Sequence, residues 1–158
     1  MALAIFKTGT FLSDMNFTNK AIAEVNNFYP WLLSNGFKNA FDVSLVNNVL
    51  TRENLKEFEQ IAYGIRPMVF AAIAAYIITK DEKYADMAGH LAAWFLGSNS
   101  ARGSMFSVST GRCFDAINTG NNVNKNSGAE STIVALLTMQ RVSCSQCGPF
   151  FLSAIYAG

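Results

Sequence analysis

Two carboxylates, Asp115 and Glu130, lie in a polar stretch, Gly111 to Ser131, that runs straight into an apolar helical segment. A pair of carboxylates flanking a glycosidic bond is the usual apparatus of glycoside hydrolysis, so these two are the candidate catalytic residues. Asn124 and Asn126 offer paired donor and acceptor groups for sugar hydroxyls, and Arg112 has the fork that meets a carboxylate on an acidic sugar. Each also has a structural reading. Ser127-Gly128-Ala129-Glu130 is a capping box, in which Ser127 bonds the N3 amide and Glu130 reaches back to the Ser127 N–H. Asp115 and the two asparagines equally suit turns braced by side-chain hydrogen bonds, and Arg112 equally suits plain solvation.

Elsewhere the chemistry is sparse. Trp94 offers either a ring for stacking a sugar or a core anchor on an apolar helical arm. The lone His90 reads as an exposed or satisfied helix residue. Cys144 and Cys147 form a CxxC to which Cys113 and His90 would have to contribute for zinc. The odd number of cysteines, and the position of the CxxC after a helical run and before Gly148-Pro149, match no complete metal or redox pattern. Neither metal nor cofactor is expected.

The elements that must position these residues follow from periodicity. Asn19 to Asn35 carries Ile22, Val25, Phe28, Tyr29, Leu32 and Leu33 at helical spacing, which predicts a helix kinked or split at Pro30. Phe37 to Leu50 is open between loop and short helix, and Thr51 to Tyr63 reads as an amphipathic helix with Leu55, Phe58 and Ile61 inward. Met68 to Thr79 and Glu82 to Leu96 are predicted as an antiparallel helical hairpin, with Pro67 in the first turn, Asp81 as cap and Gly97 as stop. Ser127 to about Val142 is the last helix, with Ile133, Val134, Leu136 and Leu137 inward, and Phe150 to Tyr156 reads as a short packing segment.

Several of these residues carry a resemblance. Ala75-Tyr76, Lys80 to Tyr84, Ala93-Trp94-Phe95-Leu96-Gly97, Gly111 to Asp115 and Val123 to Thr132 together resemble the C-terminal part of an α/α-toroid family. That family is related to six-hairpin glycosidases and associated with sugar-nucleotide glycosyltransferases. The match spans roughly Ala75 to Leu137. It implies a carbohydrate-active or carbohydrate-binding protein whose long loops line a cleft, with a saccharide as ligand. Where members of that family carry Gln-Gln-Pro with an acidic residue, this chain reads Tyr63-Gly64-Ile65-Arg66-Pro67-Met68, without the acid. Six hairpins also need more than about 200 residues, so a chain of 158 would build part of a ring.

The expected fold is therefore all-α, a single domain of antiparallel helical hairpins forming part of an (α/α) toroid. The alternative function is a noncatalytic helical interaction or oligomerisation module. Composition bears on both: 51% hydrophobic and 15% charged residues exceed what a monomer of this size needs to bury, so a homo-oligomer, by default a dimer, is expected. A net charge of +1 with no basic run argues against nucleic acid. Met1 to Phe6 is too short for a signal h-region, and Phe70 to Ile78 falls short of the roughly 20 residues that span a bilayer. No membrane partner and a cytoplasmic location are expected.

Overall fold

Ala2–Leu12 (α1) and Met15–Ser34 (α2) form the first helical pair in the computed structural model, which describes residues 1–144. Ser13 turns left-handed to end α1, and the Asp14 carboxylate caps α2 by accepting the Asn16 N–H at 2.8 Å. The helices meet closely at Gly9, where a Cβ would lie 2.7 Å from Thr18 Oγ1 and 3.0 Å from Thr18 N. In place of a split helix, α2 continues through Pro30. Proline removes one helical hydrogen bond, and burial of Val25, Tyr29 and Leu32 to either side of it holds the helix together.

The next segment corrects the sequence reading. Ala40–Val46 (β1) and Val49–Lys56 (β2) pair antiparallel, with Leu45 opposite Leu50 and Val46 opposite Val49. Asn47 and Asn48, at φ 51 and 62, make the two-residue turn. Two left-handed residues match the twist of the flanking strands. Thr51 to Tyr63 is therefore not an amphipathic helix. A second sheet has the order Gln60–Ile61 (β3), Ala116–Thr119 (β4), Asn122–Asn124 (β5), all antiparallel, so the polar stretch after Gly111 is partly a hairpin. With 53% helix, 18% strand and, among the described residues, five strands in two antiparallel sheets, the fold is mixed α/β. The all-α class is overturned, and with it the partial (α/α) toroid.

The core is built on the helical hairpin that periodicity did locate. Ile65–Thr79 (α3) and Lys83–Ala92 (α4), the latter extended by a 3₁₀ turn over Ala93–Leu96, pack together across a tight turn in which Lys80 is left-handed and Asp81 Oδ1 accepts the Lys83 N–H at 3.1 Å. Ala71, Ala72 and Ala75 are fully buried and admit the neighbouring helix closely. The apolar stretch extends beyond Phe70–Ile78 to Ala62–Thr79, which is long and apolar enough to cross a membrane by length and composition alone. Here α3 packs against α1, α2, α4 and Ala129–Val142 (α5).

α5 is rotated relative to expectation. It buries Ser131, Val134, Ala135, Thr138 and Val142, while Ile133, Leu136 and Leu137 remain 53%, 45% and 38% exposed. Contacts at its N-terminus, described below, fix that rotation, so the most apolar stripe does not choose the inward face. The segment Phe150 to Tyr156 and Cys147 lie outside the described residues.

Two substitutions test this packing. Leu91 is fully buried, so Leu91→Ala is expected to lower the unfolding free energy in urea by about 2–5 kcal/mol. Gly9→Ala should also destabilise, because overpacking costs about 1–3 kcal/mol and outweighs the gain in helix propensity of up to about 1 kcal/mol. A more stable Gly9→Ala protein would mean that α1 does not sit on α2 in this way.

Candidate functional site

Asp115 is the joint at which the polar stretch is folded. Its backbone N–H donates to Asn126 O at 2.9 Å, its carbonyl accepts the Ala62 N–H at 2.9 Å, and its Oδ1 accepts the Gly128 N–H at 3.0 Å. Gly128 is the N-cap residue of α5 and the cap has no side-chain bond of its own. A carboxylate thirteen positions upstream therefore satisfies an amide at the helix start, where the helix dipole favours negative charge. The capping box predicted at Ser127 to Glu130 does not form. Ser127 Oγ instead lies 3.3 Å from Thr132 Oγ1, which also accepts the Cys113 N–H at 3.3 Å.

The asparagines brace this corner. Asn124 Oδ1 accepts the Asn126 N–H at 3.1 Å, and Asn124 sits opposite Ala116 in the β4–β5 pairing. Asp115, Asn124, Asn126 and Gly128 are thus brought together. Glu130 is exposed on the first turn of α5, and Arg112 is exposed on the far side of Cys113, with no ion pair to any described residue. None of the cavities described below is lined by Asp115, Glu130, Arg112, Asn124 or Asn126.

Trp94 is fully buried, its indole N–H donating to Gln60 Oε1 at 3.2 Å and its ring edge-on to Phe95. It has no face left for a sugar. His90 is exposed, with Nδ1 2.9 Å from Asp86 O. Among the described residues no three of His, Cys, Asp and Glu are grouped to hold a metal, and Cys147 of the CxxC lies outside them.

Cys113 is fully buried and its thiol donates to Phe114 O. Burial, with a smaller contribution from the Asp115 charge, pushes this thiol up to about 12. It stays protonated and unreactive at neutral pH.

The residues that do surround a cavity were not singled out by the sequence. A cleft of about 250 Å³ opens between the C-terminal part of α2, β1, β3 and the start of α3, lined by Phe28, Phe37, Phe41 and Tyr63 with Lys38, Asn39, Glu59 and Gln60. The Tyr63 ring is 48% exposed. Phe28 and Phe41 belong to an aromatic cluster with Trp31, over which the Arg52 guanidinium lies 4.6 Å from the ring centroid. Lys38 Nζ donates to Glu57 Oε2 at 3.0 Å, and that bond holds the Glu57 carboxyl below its ordinary value. Gln60 forms the inner wall. Its Nε2 donates to Gly36 O and to Ser100 Oγ, both at 2.8 Å, while Oε1 receives Trp94. β3 and the residue after it link this cleft to the Asp115 corner, since Gln60 pairs with Ile117 and the Ala62 N–H bonds Asp115 O.

No protein-family model and no curated protein matches the chain.

Two outcomes follow. Asp115→Ala removes the cap and is expected to cost about 0.5–2 kcal/mol by urea unfolding, whereas Ser127→Ala should cost much less. Cys113 links stability to alkaline pH. Above its ordinary value of 9.0 the unfolded chain loses this proton while the folded chain keeps it up to about 12. Stability should therefore fall as pH rises through that interval, and Cys113→Ala should flatten the fall. An unchanged slope in that variant would mean that the thiol is not buried.

Proposed function

We propose that the protein binds a saccharide in the aromatic cleft, with the Gly111–Ser131 segment bracing its wall. What supports this reading is the juxtaposition of exposed ring surface on Tyr63 with the lining rings Phe28 and Phe41 and the polar groups of Asn39, Lys38 and Glu59 around one cavity. A sugar ring has an apolar C–H face and a rim of hydroxyls. An apolar lining with a few polar groups that fix orientation is how small-molecule sites meet such a ligand. A volume of about 250 Å³ suits one or two rings.

Binding is proposed here, and not hydrolysis by Asp115 and Glu130. Asp115 Oδ1 is engaged by the α5 cap, and neither carboxylate lines the cleft. Thermal-shift titration with glucose, mannose, galactose, N-acetylglucosamine and their disaccharides tests the reading, because a ligand of the native state raises its stability by mass action. At least one sugar should raise the melting temperature, Tyr63→Ala and Asn39→Ala should abolish the shift, and Glu130→Gln should leave it intact. Absence of any shift across the panel, or hydrolysis lost in Glu130→Gln, would count against it.

A second reading, a noncatalytic oligomerisation module, is favoured by the β1–β2 hairpin. Alternation places Phe41, Val43 and Leu45 on one face, and Leu50 opposite Leu45 joins them. Phe41 packs on Trp31, but Val43, Leu45 and Leu50 are 56%, 69% and 54% exposed. An apolar strand face and two unpaired edges invite a second copy about a two-fold axis. Sedimentation equilibrium should show a dimer, and the double substitution Leu45→Lys, Leu50→Lys should return a folded 17.2 kDa species.

A further inference from the structure

A second, larger cavity of about 490 Å³ runs between α1 and α3, on the side of the core away from β1–β2. Its walls are almost wholly hydrocarbon, including Phe11, Phe70, Ala74 and Ile77. Phe11 is 88% exposed, far beyond what a single surface phenylalanine needs for packing. Among the described residues, the only ionisable side chains lining it are Lys7 and Arg141, both cations, and no carboxylate does. Neither forms an ion pair among the described residues. Beyond Arg141 and Phe70 a smaller cavity of about 240 Å³ continues past Leu137.

A groove with these walls and two cations without counter-charge specifies the complementary molecule: a single hydrocarbon tail ending in an anion. A sugar would leave its hydroxyls unpaired against this lining. A cationic amphiphile would meet like charge. We infer that the α1–α3 groove binds a monomeric long-chain carboxylate, with the tail along Phe11, Ala74 and Ile77 and the head on Lys7 and Arg141. The cleft assigned to saccharide and this groove have no lining residue in common, so either can fail without the other.

The test is calorimetric titration of the full chain with octanoate, decanoate and dodecanoate below their micellar concentrations, and with dodecyltrimethylammonium as the same tail bearing the opposite charge. Dodecanoate should bind one to one. Affinity should rise with chain length, by up to about fourfold per added methylene, and the trimethylammonium should bind at least tenfold more weakly. Arg141→Glu should weaken dodecanoate at least tenfold and narrow the difference between the two head groups. Ala74→Trp should fill the groove and abolish binding. Ile77→Asp, at an exposed position, should do the same with little risk to folding. Several results would overturn the inference: no dodecanoate binding, equal binding of the two heads, or Ile77→Asp without effect on dodecanoate. So would a dimer that Ile77→Asp dissociates, which makes the groove a contact between copies. Binding to phosphatidylcholine vesicles containing phosphatidylglycerol, with none to monomeric dodecanoate, would assign the groove to a membrane surface and likewise overturn it.

Discussion

The buried amide of Gln60 is the interaction on which the arrangement depends. One side chain donates to the carbonyl that closes α2, donates to the hydroxyl of Ser100, and accepts the indole N–H of the largest core residue. Its backbone meanwhile starts the sheet that holds β4. A neutral amide has donors and acceptor together, which is what this junction requires: a carboxylate could not donate to Gly36 O, and an aliphatic residue would leave the Trp94 indole N–H without its acceptor and Gly36 O and Ser100 Oγ with only their mutual bond at 3.4 Å. The end of α2, the end of the α3–α4 hairpin and the central sheet are thereby held at one point, beside the aromatic cleft whose inner wall Gln60 forms.

The helical hairpin was legible because its signals are local and redundant. Tyr84, Ala88 and Leu91 recur at helical spacing, Asp81 caps, and Gly97 at φ 123 stops the run. The two sheets were not legible for different reasons. In β1 the alternation Phe41, Val43, Leu45 against Asp42 and Ser44 was present, and Asn47-Asn48 was a usable turn signal. Charged residues at Glu53, Lys56 and Glu57 nevertheless imitated the polar face of a helix in β2. β3 is two residues long, and its existence depends on a partner in β4 far along the chain. No local pattern encodes that pairing.

The candidate site divides in the same way. Asp115, Asn124 and Asn126 do come together, and the bracing reading describes the side-chain bonds of Asp115 and Asn124, while Asn126 takes part through its backbone N–H and carbonyl. The capping signal at Ser127 failed because the helix starts one residue later, with Gly128 as its N-cap and Asp115 accepting the Gly128 N–H. With Thr132 held by Cys113 and Ser127, the face that turns inward is the one carrying Ser131 and Val134, although Ile133, Leu136 and Leu137 are the more apolar set. The cleft residues escaped notice because they come from four elements, and a cavity is a property of their assembly.

The long-range strand pairing has a consequence for the order in which the molecule is made. Gln60, Gly36, Trp94 and Ser100 all lie in the part of the chain that leaves a ribosome first, so the hub and the two helical pairs have their partners before the rest is synthesised. β4, β5 and α5 come last and as one local unit, since β4 and β5 pair across Gly120 and Asp115 reaches only to Gly128. Closing a short loop is fast compared with closing a long one. The β4–β5–α5 unit therefore has local contacts of its own, whereas its pairing with β3 needs a long closure. Before that closure Gln60 and Ile61 lack their strand partners Ile117 and Ala116, and an open strand edge of this kind is a template for pairing with another chain.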